Sequence, residues 1–165
     1  MQILPLAPTS WQFRDPSAGS RWRKAVVPGC VHQDLLRHDL IPDPFWGTNE
    51  LQLQWIEERD WEYQTTFSVP DAVLAEDVID LVADGLDTVA TISLNGHRVA
   101  SVENMFQEYR WNVKRHLKPG KSTLLIHFGS AMHYIRTHRK WHKPTEINDP
   151  VGGSSVIRKE QCQFG

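Results

Sequence analysis

Cysteine is scarce: Cys30 and Cys162 are the only two in 165 residues, far apart and at no metal-binding or redox spacing. They leave one long-range disulfide or two free thiols in a reducing compartment, and free thiols are the expectation. Charge of one sign is lacking too, since 18 basic side chains face 20 acidic ones for a net charge of −2. So weak a field recruits neither nucleic acid nor an anionic membrane surface. No apolar run approaches the roughly 18–20 residues of a transmembrane helix. Met1-Gln2-Ile3-Leu4-Pro5 has neither a basic n-region nor an apolar export segment, so a cytoplasmic location is expected. Phosphate-cradling glycine loops, G-x-S-x-G elbows and H-E-x-x-H pairs are all missing. Of the eight histidines, His133, His138 and His142 are the densest group, at gaps that fit no zinc pattern. Neither a metal nor a cofactor is expected. Cys30 and His32 sit within one turn of chain, whereas a thiol nucleophile and its base normally meet across a fold.

What the chain does have is alternation. Trp61, Tyr63, Thr65, Phe67 and Val69 share one side of a strand, with Glu62, Gln64, Thr66 and Ser68 on the other, until Pro70 stops it. Residues 78–85, 88–95, 109–114 and 123–128 repeat the pattern, and residues 97–103 are the expected returning strand of a hairpin. Asn95-Gly96 suits a type I′ hairpin turn and Pro119-Gly120 a type II turn. One short helix is expected between Cys30 and His38, where Val31, Leu35, Leu36 and Leu40 recur at helical spacing before Pro42. No repeat and no low-complexity tract interrupts this. The reading is an all-β, antiparallel sandwich, large enough to bury roughly 68–70% of the surface of its unfolded chain. It occupies residues 1–135, and residues 136–165, of loop composition around Asp149–Ser155, form an extended or mobile segment. Seven tryptophans, at 11, 22, 46, 55, 61, 111 and 141, divide between core packing and sugar stacking.

Three stretches are more specific. The first is Val27-Pro28-Gly29-Cys30-Val31-His32 with Ile41-Pro42-Asp43-Pro44-Phe45-Trp46-Gly47-Thr48-Asn49-Glu50. The second is Asp60-Trp61-Glu62-Tyr63, then Gly85-Leu86-Asp87-Thr88-Val89-Ala90, Leu94-Asn95-Gly96 and Glu103-Asn104-Met105-Phe106. The third is Val156-Ile157-Arg158-Lys159-Glu160-Gln161-Cys162-Gln163-Phe164-Gly165. Together they resemble the amino-terminal domain of glycoside hydrolase family 2, specifically its β-mannosidases, where the last stretch continues into Trp-Asp-Trp-Gly-Pro.

The resemblance implies a galactose-binding-domain-like jelly roll that precedes two immunoglobulin-like modules and a TIM barrel. The barrel would carry both glutamates of a retaining mechanism, so no catalytic residue is assigned here. The expected partners are those missing domains and, through the whole enzyme, an oligosaccharide ending in non-reducing β-mannose. Asn49 falls where relatives place a sugar-contacting asparagine, flanked by Glu50 and Trp46; asparagine also simply suits a turn. The alternatives are a free-standing carbohydrate-binding module, or the same domain from a β-galactosidase, β-glucuronidase or exo-β-glucosaminidase.

Overall fold

The computed structural model describes residues 3–138. Alternation becomes strand wherever one face can be buried. In chain order these strands are β1 (Trp11–Arg14), β2 (Arg23–Lys24), β3 (Trp61–Ser68), β4 (Asp80–Ala83), β5 (Ala90–Leu94), β6 (His97–Val102), β7 (Tyr109–Asn112) and β8 (Lys121–Phe128). Six form one antiparallel sheet in the order β2-β1-β3-β8-β5-β6, and β4 pairs with β7 in a second layer. β3 and β8 are the spine, matched over eight residue pairs from Trp61 opposite Phe128 to Ser68 opposite Lys121.

Trp61, Tyr63 and Thr65 are buried as the alternation requires, while Glu62, Gln64 and Thr66 face outward. Phe13, Ile92 and Leu94 join them at 1% exposure each, and the ring of Phe13 stacks on Tyr63 at 5.9 Å. Leu81, Ala83, Tyr109 and Trp111 pack on this core from the second layer. The β5–β6 hairpin turns through Asn95 at φ 52° and Gly96 at φ 82°, the left-handed pair a type I′ turn demands. Asn95 also donates to the His116 carbonyl at 2.7 Å and accepts from the Thr123 amide at 2.9 Å, tying the turn to β8.

The expected helix is present as α1 (Val31–Arg37). Three more short helices occupy connections: α2 (Asn49–Gln52), α3 (Asp71–Leu74) and α4 (Ala131–His138). α4 begins where the β pattern fades. Ser130 Oγ accepts from the His133 amide at 3.0 Å, satisfying one of the donors that the first turn of a helix leaves over. The expected trailing segment lies, beyond residue 138, outside the described residues.

α1 is fastened by a buried charge. Asp34 is fully buried and accepts from the Val26 amide at 3.0 Å, Arg37 Nη1 at 2.9 Å and the Tyr63 hydroxyl at 3.0 Å. Burial, and then the neighbouring Asp34 carboxylate, push the Tyr63 phenol well above its ordinary value. Asp34→Ala strands the Val26 amide and the Tyr63 hydroxyl, whereas the half-exposed Arg37 re-enters water. Urea unfolding should therefore show a loss of about 3 kcal/mol. A raised tyrosine pKa stabilises the fold below the unfolded-state value and is lost above it. Wild-type stability should then fall as pH rises past about 10, and Tyr63→Phe should flatten that slope.

Candidate functional site

The three expected site residues share one connection. Asp43 organises it: its Oδ1 accepts from the Phe45 amide at 2.9 Å, and its carbonyl accepts from the Trp46 amide at 3.2 Å and from Asn49 Nδ2 at 2.8 Å. Gly47 passes through at φ 61°, a left-handed conformation a side chain would strain. The Trp46 carbonyl then accepts from the Asn49 amide, which opens α2. The turn-satisfying role open to Asn49 is thus real for its Nδ2. Its Oδ1 and the Glu50 carboxylate make no hydrogen bond to other described residues and remain able to meet a hydroxyl.

Trp46 is 77% exposed and Phe45 96%, so neither ring contributes to the core. Phe45 was not singled out from sequence. The available signal was two adjacent aromatic rings inside turn composition, with no periodic partner to bury them.

A cleft of about 270 Å³ lies elsewhere, among Cys30, His32, Trp61, Tyr63, Asp87 and Thr88. It does not include Trp46, Asn49 or Glu50. Its floor is core rather than platform, since Trp61 and Tyr63 are only 7% and 9% exposed and the Trp61 indole donates to the Ile56 carbonyl at 3.0 Å. The other tryptophans vary, and Trp55, at 40% exposure, has its ring 6.2 Å from that of Trp61. Trp11 is buried and donates to the Leu6 carbonyl, Trp22 lies under the Arg14 guanidinium at 4.3 Å, and Trp111 stacks on Tyr109. Trp141 lies outside the described residues, as do His142 and Cys162.

Cys30 is a free, exposed thiol. Among the described residues no three His, Cys, Asp or Glu side chains converge as metal ligands, and no helix is long and apolar enough to cross a membrane. The geometry offers hydrogen-bonding groups and rings on a fixed turn.

The sequence profile described as the glycosyl hydrolase 2 galactose-binding domain-like family matches residues 11–165. The chain belongs to that family. It is 37% identical, along its whole length, to β-mannosidase B of Aspergillus clavatus. It is 36% identical, over 85% of its length, to rat β-mannosidase. Over its whole length it superposes on the crystal structure of a β-D-mannosidase from Dictyoglomus thermophilum with a TM-score of 0.87 at 38% identity. The Amycolatopsis orientalis exo-chitosanase, at 18% identity and a TM-score of 0.64 over 73% of the chain, shares the fold alone. The chain spans about a fifth of the length of the mannosidases it matches: 20% of the Aspergillus protein, 17% of the rat protein and 20% of the Dictyoglomus chain.

For this glycosyl hydrolase 2 domain the exposure of the turn makes a direct expectation. Phe45→Ala and Trp46→Ala should change unfolding free energy by no more than about 0.5 kcal/mol, whereas Trp61→Ala should cost about 3–5 kcal/mol. Denaturant titration of the three variants checks both.

Proposed function

We propose that this chain is the amino-terminal, non-catalytic lobe of a retaining β-mannosidase that removes terminal non-reducing β-D-mannose from oligosaccharides. The observation that carries the reading is a gap in identity. Fungal, mammalian and bacterial relatives named β-mannosidases share 36–38% of residues with the chain. Solved glucuronidases and the exo-chitosanase share only 15–19%.

A retaining glycosidase acts through two carboxyls about 5–5.5 Å apart, one nucleophile and one acid/base. In this reading both belong to the four-fifths of the relatives' length that the chain does not span. The lobe supplies one wall of the sugar pocket. Asn49 Oδ1 accepts from a sugar hydroxyl, its Nδ2 being held by Asp43; Glu50 and Trp46 flank it. Holding Nδ2 fixes which atom of the amide faces outward, so the contact costs little further ordering on binding.

Assays of the chain alone and of the full-length parent test this. The chain should leave aryl β-mannosides unhydrolysed, and titration calorimetry with mannose should give no Kd tighter than about 1 mM. The parent should prefer aryl β-mannosides to aryl β-galactosides. Asn49→Ala in the parent should lower kcat/KM about 10-fold, the loss of one hydrogen bond to sugar, while loss of the exposed bond to Asp43 lowers melting by no more than about 2 °C. Sub-millimolar mannose binding by the chain alone would instead mark a free-standing binding module.

A further inference from the structure

The net charge of −2 conceals a local excess of the other sign. Residues 88–102 and 113–123 contain no aspartate or glutamate. They do contain five lysines and arginines, Arg98, Lys114, Arg115, Lys118 and Lys121, together with His97 and His116. Strand pairing brings the two stretches together: His97 opens β6 opposite Leu94 of β5, and Leu94 lies opposite Leu124 of β8. Asn95 locks them. Its Nδ2 donates to the His116 carbonyl at 2.7 Å and to Ser122 Oγ at 3.2 Å, while its Oδ1 accepts from the Thr123 amide at 2.9 Å.

The lock seats two imidazoles against each other, with the His97 and His116 ring centroids 5.3 Å apart and their planes 27° from parallel. Arg115 Nε donates to His116 Nε2 at 3.0 Å, which leaves a neutral His116 its proton, and so a donor, at Nδ1. The terminal nitrogens of Arg115 make no hydrogen bond to other described residues. Among the described residues none of the five cations is ion-paired with a carboxylate. The Lys114 ammonium rests on the Glu76 carbonyl, and Arg98 turns to Ser101 Oγ. Desolvation, and then the Arg115 and His97 charges, hold the His116 imidazole below its ordinary value. Like charges gathered without a counter-charge carry a repulsion that a bound anion relieves.

We propose that this corner of the sandwich binds a compact oxyanion, a phosphate or sulfate group, between the His97 and His116 rings and the Arg115 guanidinium. The ring spacing suits one anion accepting from both imidazoles, since a hydrogen bond on either side is about 2.8–3.0 Å long. The open fork of Arg115 matches paired oxygens. Lys118 and Lys121, on the same connection, raise the local potential without having to touch the ligand. The exposed phenylalanines and tryptophans, Phe45, Trp46, Trp55 and Phe106, all lie on other connections. The corner therefore has no platform on which to stack a base or a pyranose, and what it recognises is charge. The acidic residues of the connection that Lys114 touches, Asp71, Glu76 and Asp77, stay ionised between about pH 5.5 and 8. The pH response is then that of the two imidazoles: protonating them adds charge and donors, so binding strengthens as pH falls.

The test titrates the 165-residue chain with sodium sulfate, a dianion at every pH used, against sodium chloride at equal ionic strength, and follows the imidazole signals by NMR. Sulfate should shift His97 and His116 saturably, with a Kd of about 1–10 mM at about pH 5.5 and at least about 5-fold weaker binding at about pH 8. His97→Asn with Arg115→Gln should weaken binding, read at His116, at least about 10-fold, while melting in chloride moves by less than about 2 °C because both side chains are exposed. Lys118→Gln with Lys121→Gln should weaken it only about 2–3-fold. Inorganic phosphate and glucose 6-phosphate, compared at about pH 7.5, separate the sources. Equal or weaker binding of the ester assigns the site to the free ion, and tighter binding assigns it to a phosphorylated ligand. Shifts that fail to saturate by about 100 mM, that chloride reproduces, or that survive the His97 and Arg115 substitutions would overturn the proposal. So would equal affinity at both pH values. A larger loss from the lysine pair than from His97 and Arg115 would also overturn it, and would mark a diffuse basic patch for a polyanion.

Discussion

The arrangement hangs on one carboxylate. Asp34 has no exposure to water, and its carboxylate is tolerated there because three donors satisfy it. Val26 brings the segment ahead of α1, Arg37 the end of the helix, and Tyr63 the centre of the longest strand pair. The helix is thereby given one position relative to the segment ahead of it and to β3. The connection bearing Asp43, Trp46 and Asn49 starts where α1 stops, so its launch point is set by that same carboxylate.

From there the geometry is inherited from strand register. Antiparallel pairing of β3, β8, β5 and β6 gathers their connections, and a one-residue slip along β3 would turn Trp61 and Tyr63 outward and swing the aromatic turn with them. Apolar packing within the sandwich and bare rings at its end are thus two readings of one register. The first makes the fold stable. The second leaves those rings free of the core.

Much of this was legible in the residues because burial acts on alternate positions. Trp61-Tyr63-Thr65 announced β3, and Asn95-Gly96 announced the hairpin with its two left-handed residues. β1 and β2 were not legible: four and two residues carry too little periodicity, and their pairing with β3 is a long-range fact. α4 was missed because its one sharp signal is a single capping serine ahead of weakly apolar residues. Asp34 could not be read as a core residue, since its burial depends on Val26 and Tyr63 being brought to it. The turn residues Trp46, Asn49 and Glu50 came from the family resemblance, and the split in Asn49 between a committed nitrogen and an open oxygen is visible only in three dimensions. Phe45 and Phe106 were in plain sight within quoted motifs, but exposure cannot be read from a motif.

The margins of the six-stranded sheet bear on how such a lobe behaves in solution. One outer strand, β2, is two residues long and both are cationic, Arg23 and Lys24. The other, β6, begins with exposed His97 and Arg98 and is thrown out of step with β5 between Ile92 and Ser93. Short, charged or bulged margins are poor templates for a neighbouring chain's backbone. The molecule can therefore carry bare aromatic rings without also inviting growth along its six-stranded sheet.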